Sequence, residues 1–243
     1  FTYRCGLEGT FLFTKKYTNV RSIAFLQNYE GHTHFGVRDE VGIRSIEEIK
    51  EKRYPLKVAT APRNDYTELI MRIVLEEYGI KWSDIEAWGG KIFYTSFAEA
   101  AQLVIDGHAE ALFLGVVFPH QQYLNLTAMR KTRLLPIRDD VAQRIVEKYK
   151  AYGLRLAEIP AGAYGVVDKP FKVPSSSTTI LARGDLPNDE AYLVTKALDE
   201  NYDAFRKAHP SVAQFEPRKA WEYTGGPLHP GAEQYYKDMK YMP

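Results

Sequence analysis

The chain has 243 residues, 45% hydrophobic and 26% charged, and its 32 basic and 31 acidic residues leave a formal net charge of +1. That length can bury a substantial core as one large domain or two lobes. The balanced charge, with no long run of one sign, gives no electrostatic basis for a nucleic-acid partner.

The longest apolar stretches, such as "ALFLGVVF" at 111–118, fall far short of the roughly 20 residues that cross a bilayer, and suit buried strands. Cys5, the only cysteine, cannot form an internal disulfide, and no Cys/His spacing matches a structural zinc site. The chain opens on Phe1 with no initiator Met and no signal-peptide pattern, so a removed leader or a longer parent protein is expected.

Residues 20–38 read as two strand-like segments joined near Gly31. Ser45 is placed to cap a short helix, with Glu48 three residues on as its reciprocal partner. "LKVAT" (56–60) is a buried-strand candidate. It leads through "APRND" into a helix with Leu69, Ile70, Ile73 and Val74 on one stripe and Gly79 at its end. Ser96 and Glu99 form a second capping box before a helix with Phe97, Ala98, Ala101, Val104 and Ile105 inward.

A tight turn at His108, which reads as exposed, leads to the strand "ALFLG", and "RLLPI" is another short strand. "DDVAQRIVEKYKAYG" has the acidic start of a helix, with Val141, Ile145 and Val146 inward. Residues 173–183 read as one β-branched strand. A long helix follows from about Asn188 to Lys207, with Tyr192, Leu198, Tyr202 and Phe205 inward. Alternating strands and helices predict an α/β fold with largely parallel sheets. The Pro/Gly/Ser-rich loops at 159–177 are candidates for a hinge or a crossing between lobes.

No phosphate-cradling Gly-rich loop, Gly-x-Ser-x-Gly elbow or His-Glu-x-x-His pair is present. His32 and His34 would share one strand face, but two histidines make a poor metal site and suit surface or packing roles better. The loops at strand ends carry more. "TAPRNDYTE" runs from a strand into a helix N-terminus, where free N–H groups favour an anion and Arg63 offers a bidentate clamp. The competing reading leaves Arg63 solvated, with Asp65 capping the helix and Glu68 reciprocating.

In "GVVFPHQQY", Pro119 is placed to start a helix, with Phe118, His120, Gln121 and Tyr123 around it. These residue types suit a small polar ligand, whereas on the competing reading Phe118 and Tyr123 are core. Ligands of open α/β sheets sit outside the carboxyl ends of strands, where both loops fall.

Five stretches, "VGIRSIEEIKEK", "SFAEAAQLVIDGHAEALF", "IPAGAYG", "DLPNDEAYLVTKALDENYDAFRKAHP" and "PLHPGAEQYYKDM", occur in an order that resembles the TAXI family of TRAP-transporter solute receptors. The resemblance covers nearly the whole chain. It implies an extracytoplasmic, periplasmic-binding-protein type II-like fold of two lobes that closes on a small organic anion or amino acid, glutamate-like ligands included. The ligand is then handed to membrane transporter subunits. It implies neither enzyme activity nor a cofactor or metal.

Residues 1–40 would then be the first part of lobe 1 and the first crossing, 41–172 lobe 2, and 173–243 the second crossing and the return to lobe 1. The ligand-binding candidates are Arg63, Asn64, Tyr66, Phe118, His120, Gln121 and Tyr164, with Arg63 holding a carboxylate. His229 would be structural, with Pro230 fixing the first turn of the last helix and Gly231 and Ala232 allowing close approach to a neighbour.

Two departures stand out. The family's N-terminal Gly-rich, Tyr-containing motif and its Gly-Ser and Asn stretch are absent, so one lobe is expected to be incomplete at its N-terminal side. "APRNDYTE" also replaces a Gly/Ser/Thr-rich loop with bulkier, charged residues. Two alternatives stay open. One is an enzyme on the same scaffold using His120 or His229. The other is a truncated relative acting as an oligomeric or protein-interaction subunit, a homodimer if the incomplete lobe is exposed.

Overall fold

The first helix, α1 (Thr2–Glu8), and the first strand, β1 (Val20–Phe25), belong to one unit of the molecule, and the second strand, β2 (His32–Arg38), opens another. The computed structural model describes residues 1–27, 31–209 and 212–243. The join between the two predicted strands therefore lies partly outside the described residues. The first unit comprises Phe1–Glu30, Tyr149–Leu154 and Ser176–Pro243; the second comprises Gly31–Lys148 and Arg155–Ser175.

The second unit continues with α2 (Ile46–Glu51), β3 (Lys57–Thr60), α3 (Tyr66–Glu77), α4 (Trp82–Ala87), β4 (Lys91–Tyr94), α5 (Phe97–Ile105), β5 (Ala111–Val116), α6 (Gln121–Met129), β6 (Thr132–Leu134), α7 (Asp139–Lys148), β7 (Arg155–Ile159) and β8 (Phe171–Ser175). Its main sheet has the order β4-β3-β5-β2-β6. β3 runs parallel to β4 and β5, while β2 runs antiparallel to β5 and β6. Every residue of β5 is buried, as expected for a central strand covered on both faces.

Tyr123 of α6 lies against β2 where Gly36 leaves room: a Cβ there would come within 2.9 Å of the Tyr123 ring. β7 and β8 form a separate antiparallel pair.

The helix ends follow side-chain chemistry. Ser96 and Glu99 form the reciprocal box at α5. Replacing Ser96 with Ala removes the acceptor for the Glu99 N–H and is expected to cost about 1 kcal/mol of stability in urea unfolding. At α2, Ser45 Oγ accepts from the Glu48 N–H, but the Glu48 carboxylate accepts from the N–H of Arg44, one residue before the predicted partner. At α3, Asp65 accepts from the Thr67 N–H at 2.7 Å. Glu68 does not reciprocate: it is buried and accepts from Trp82 Nε1 at 2.8 Å and Arg72 Nε at 3.2 Å. Burying a carboxylate requires such partners.

Two predicted elements divide. Residues 173–183 are not one strand: β8 ends at Ser175, and after three consecutive serines (175–177) β9 (Thr179–Arg183) pairs antiparallel with β1 in the first unit. The predicted long helix is α8 (Asn188–Glu200) followed by α9 (Tyr202–Ala208). Asn201, at φ −113°, breaks it, and its side-chain amide donates to the Ala197 carbonyl at 2.9 Å, capping the end of α8. Tyr202 is exposed rather than inward.

The first unit's core gathers Ile23, Ala24, Ala191, Phe215, Ala232, Tyr235 and Tyr236 between β1, α8 and α10 (Pro230–Asp238). His229 is fully buried there as the N-cap of α10. Its Nδ1 accepts from the Gly231 N–H at 3.2 Å, and its own N–H donates to the Ser22 carbonyl at 2.8 Å. That is a structural joint. The segment Tyr149–Leu154 also enters this unit, where Tyr149 and Tyr152 pack around Phe1 and Phe11.

Candidate functional site

The parallel strands β4, β3 and β5 end side by side, and each hands the chain to a helix: β3 to α3, β4 to α5 and β5 to α6. All three helix N-termini carry side-chain caps, from Asp65, Ser96 and His120. The helix after β5 begins at Gln121 rather than at Pro119. His120 stays extended, and its Nδ1 accepts from the Gln122 N–H at 3.3 Å. A ring nitrogen that accepts cannot hold the proton, so neutral His120 carries its hydrogen on Nε2. Burial pushes its pKa below the ordinary value, which favours that neutral form.

Behind His120 lies a hydrogen-bonded chain. His34 is fully buried in β2, and its Nδ1 donates to the His32 carbonyl at 2.8 Å. Its Nε2 therefore accepts from the Tyr164 hydroxyl at 3.1 Å. The same hydroxyl accepts from the His120 backbone N–H at 3.0 Å. Burial drives the His34 pKa down to about 3, with the neighbouring His32 and His120 adding to the shift and the bond to the His32 carbonyl opposing it. Burial likewise raises the Tyr164 phenol well above its ordinary value.

Tyr164 itself sits in the left-handed region at φ 52°, a conformation that costs a non-glycine residue about 1 kcal/mol and needs such bonds to hold it. The neighbouring Tyr123 hydroxyl accepts from the Leu114 N–H at 3.2 Å and lies 2.8 Å from the carbonyls of His34 and Leu112.

The rings of His34, Phe118, Tyr123 and Tyr164 form a continuous group, and Phe97 and His120 pair with each other. Tyr123 stacks on His34 at 4.7 Å, Phe118 meets Tyr164 edge-on at 5.4 Å, and Phe97 meets His120 edge-on at 6.0 Å. On the loop after β3, the exposed Arg63 guanidinium lies 4.0 Å from the centre of the Tyr94 ring, a cation–π contact.

Of the residues singled out in the sequence, the structure brings Phe118, His120 and Tyr164 into direct contact. Arg63, Asn64 and Tyr66 stand on the adjacent loop, Asn64 exposed at φ 65° and Tyr66 half-buried at the start of α3. Gln121 is exposed, and its amide donates to Asn125 one turn along its own helix. Sequence reasoning did not assign His34, Tyr94 or Phe97 to this group, and it left Tyr123 open between the ligand loop and the core, where the structure buries it. The signals available were the alternation that puts His32 and His34 on one face and the placing of Tyr123 three residues after His120.

Cys5 is buried, and burial pushes its thiol up to about 11, so it is not an activated thiolate. Among the described residues no cluster of three or more His, Cys, Asp or Glu is placed to hold a metal ion. Among them, too, no helix is long and apolar enough to cross a membrane.

A family model described as the NMT1-like family matches residues 3–239. Among solved structures, MatC from Rhodopseudomonas palustris with bound malate is 12% identical; the likeness covers 99% of this chain and 71% of that one, with a TM-score of 0.51. Protein AF1704 from Archaeoglobus fulgidus is 13% identical, with 90% of this chain and 62% of that one covered and a TM-score of 0.43. The periplasmic aliphatic sulphonate binding protein SsuA from Escherichia coli is 14% identical, with 93% and 62% covered and a TM-score of 0.40. The chain thus spans about three fifths of the length of two of these proteins. The fold is α/β with two sheet-containing units, of the periplasmic-binding-protein type II class.

Proposed function

We propose, from the premise that this chain belongs to the NMT1-like family, that it is an extracytoplasmic solute receptor of the TAXI type. It captures a small organic anion or amino acid by its carboxylate and delivers it to a TRAP-type membrane transporter. The observation that carries this reading is the grouping of Phe118, His120 and Tyr164 at the carboxyl end of β5, with Arg63 on the loop beside it. An aromatic wall with one neutral donor and one guanidinium is built to bind and release a carboxylate. MatC, one solved structure of like fold, holds malate.

In this reading Arg63 swings its guanidinium from Tyr94 onto the ligand carboxylate. Asn64 and Tyr66 shape that side, and His120 donates from Nε2. The first and second units correspond to the receptor's two lobes.

Native mass spectrometry of the purified chain, repeated after denaturation, identifies the small acid it carries. Calorimetric titration of that acid into Arg63→Ala is expected to show affinity about 10- to 100-fold weaker, the loss of one charge-assisted hydrogen-bonding group. Unchanged affinity would remove Arg63 from the site.

A second reading, an interaction or oligomeric subunit, draws on the exposed apolar side chains Leu181, Leu193 and Val194 of the first unit. A mass measured by light scattering that stays monomeric up to high protein concentration counts against self-association.

A further inference from the structure

We infer that the solute is a flat-bodied monocarboxylate, an aryl acid of the benzoate or phenylacetate kind, rather than a dicarboxylate or a compact amino acid. The inference rests on the receptor reading and narrows it.

Its ground is a count of what the loops at the carboxyl ends of β3, β4 and β5 offer a ligand. Several of the polar groups are engaged within the protein. The Tyr164 hydroxyl donates to His34 and accepts from His120, so its proton is not open to a solute carboxylate. Asp65 caps Thr67, and Gln121 bonds Asn125. Glu99 accepts from Thr95 and Ser96, and these bonds hold its carboxyl below the usual range, hence ionised.

Two of the others are Arg63 and His120. Arg63 has no hydrogen-bond or ion-pair partner among the described residues, only the Tyr94 face. His120 has its Nε2–H, with no acceptor among the described residues. One guanidinium with a few neutral donors matches one carboxylate.

A second carboxylate would have no cation to meet on these loops. It would face Asp65 and Glu99, whose charges reject it. An ammonium would meet carboxylates that already cap helices, Asp65 through Oδ1 and Glu99 through Oε2, and would compete with those caps. The rest of the surface is aromatic: Tyr94, Phe97, Phe118 and Tyr164 are all half-buried, and Phe97–His120 and Phe118–Tyr164 meet edge-on. Such rings present both faces and edges to an incoming ring, the arrangement aromatic pairs prefer.

The test is calorimetric titration of the full chain, stripped of carried ligand by unfolding and refolding, with benzoate, phenylacetate, succinate and glutamate. At least one aryl acid is expected to bind 10-fold or more tighter than succinate and glutamate. Phe118→Leu, which keeps apolar volume but removes the ring, is expected to weaken the aryl acid at least 5-fold while leaving the thermal midpoint near that of the parent.

Tighter binding of succinate or glutamate would overturn the inference and leave the receptor reading standing, as would an aryl acid bound equally well by Phe118→Leu. If none of the four binds, the inference fails. The receptor reading fails with it only if the protein as purified also releases no small molecule on denaturation.

Discussion

The second unit is expected to lose up to about 5 kcal/mol of stability between pH 6.5 and pH 3 through one side chain, His34. The ring is fully buried, and both of its nitrogens are bonded, Nδ1–H to the His32 carbonyl and Nε2 to the Tyr164 hydroxyl. Its folded pKa of about 3 lies below the ordinary 6.5. Above pH 6.5 neither state is protonated and the contribution is complete. As the pH falls below 6.5 the unfolded chain takes up a proton that the folded chain refuses, and stability falls by about 1.4 kcal/mol per pH unit. Below pH 3 both states are protonated and the slope vanishes.

Protonation would also turn Nε2 into a donor facing the Tyr164 hydroxyl, so the strained Tyr164 turn is released with it. Urea titrations from pH 7 to pH 4 check this in the parent and in His34→Gln, whose amide can still accept from Tyr164. Carboxylates contribute equally to both proteins, so the difference in slope isolates His34. Parallel slopes would show that His34 does not titrate as its burial requires.

How far such a site can be read from sequence depends on whether its parts are local. The helix caps at Ser45, Asp65 and Ser96 were legible because a cap and its N–H lie within three residues. The apolar stripe of α3 was legible from its period, and Leu69, Ile70, Ile73 and Val74 are all buried. The α/β class followed from the alternation of elements. What escaped was non-local. Glu68 has the spacing of a capping-box partner, but Trp82, fourteen residues on, offers its indole N–H inside the core and takes the carboxylate.

The strand over residues 173–183 failed because β propensity does not say which sheet a segment joins. Pairing with β7 and with β1 claims its two halves separately. Around the candidate site, Phe118 and His120 were visible from loop position. The role of His34 was not, because it depends on Tyr164, 130 residues away in sequence. The competing reading that placed Tyr123 in the core holds, and that burial is what puts its ring against His34.

Gly231→Ala is expected to unfold the first unit or cost it more than about 3 kcal/mol, beyond the usual range for overpacking. The sequence "PLHPGAEQYYKDM" places a glycine just inside α10, and the structure shows what it touches. A Cβ at Gly231 would stand 2.0 Å from the carbonyl oxygen of Asn188, 2.8 Å from its carbonyl carbon and 3.0 Å from the Tyr192 nitrogen. All three are backbone atoms in the first turns of α8, so no rotamer change relieves the clash and the two helices must part. Parting them would open the core between Ala191, Ala232 and Tyr236, all of which are buried. It would also disturb the His229 cap, whose acceptor Nδ1 is bonded to the Gly231 N–H itself.

Gly162→Ala supplies the contrast: its φ of +80° strains an alanine, but nothing lies within 4 Å of the new Cβ, so about 1 kcal/mol is expected. Urea unfolding followed by circular dichroism, with limited proteolysis to locate the loosened segment, separates the two. If Gly231→Ala unfolds at a urea concentration as high as Gly162→Ala does, the α8–α10 contact is not as close as its backbone distances require, and the joint at His229 does not hold the first unit together.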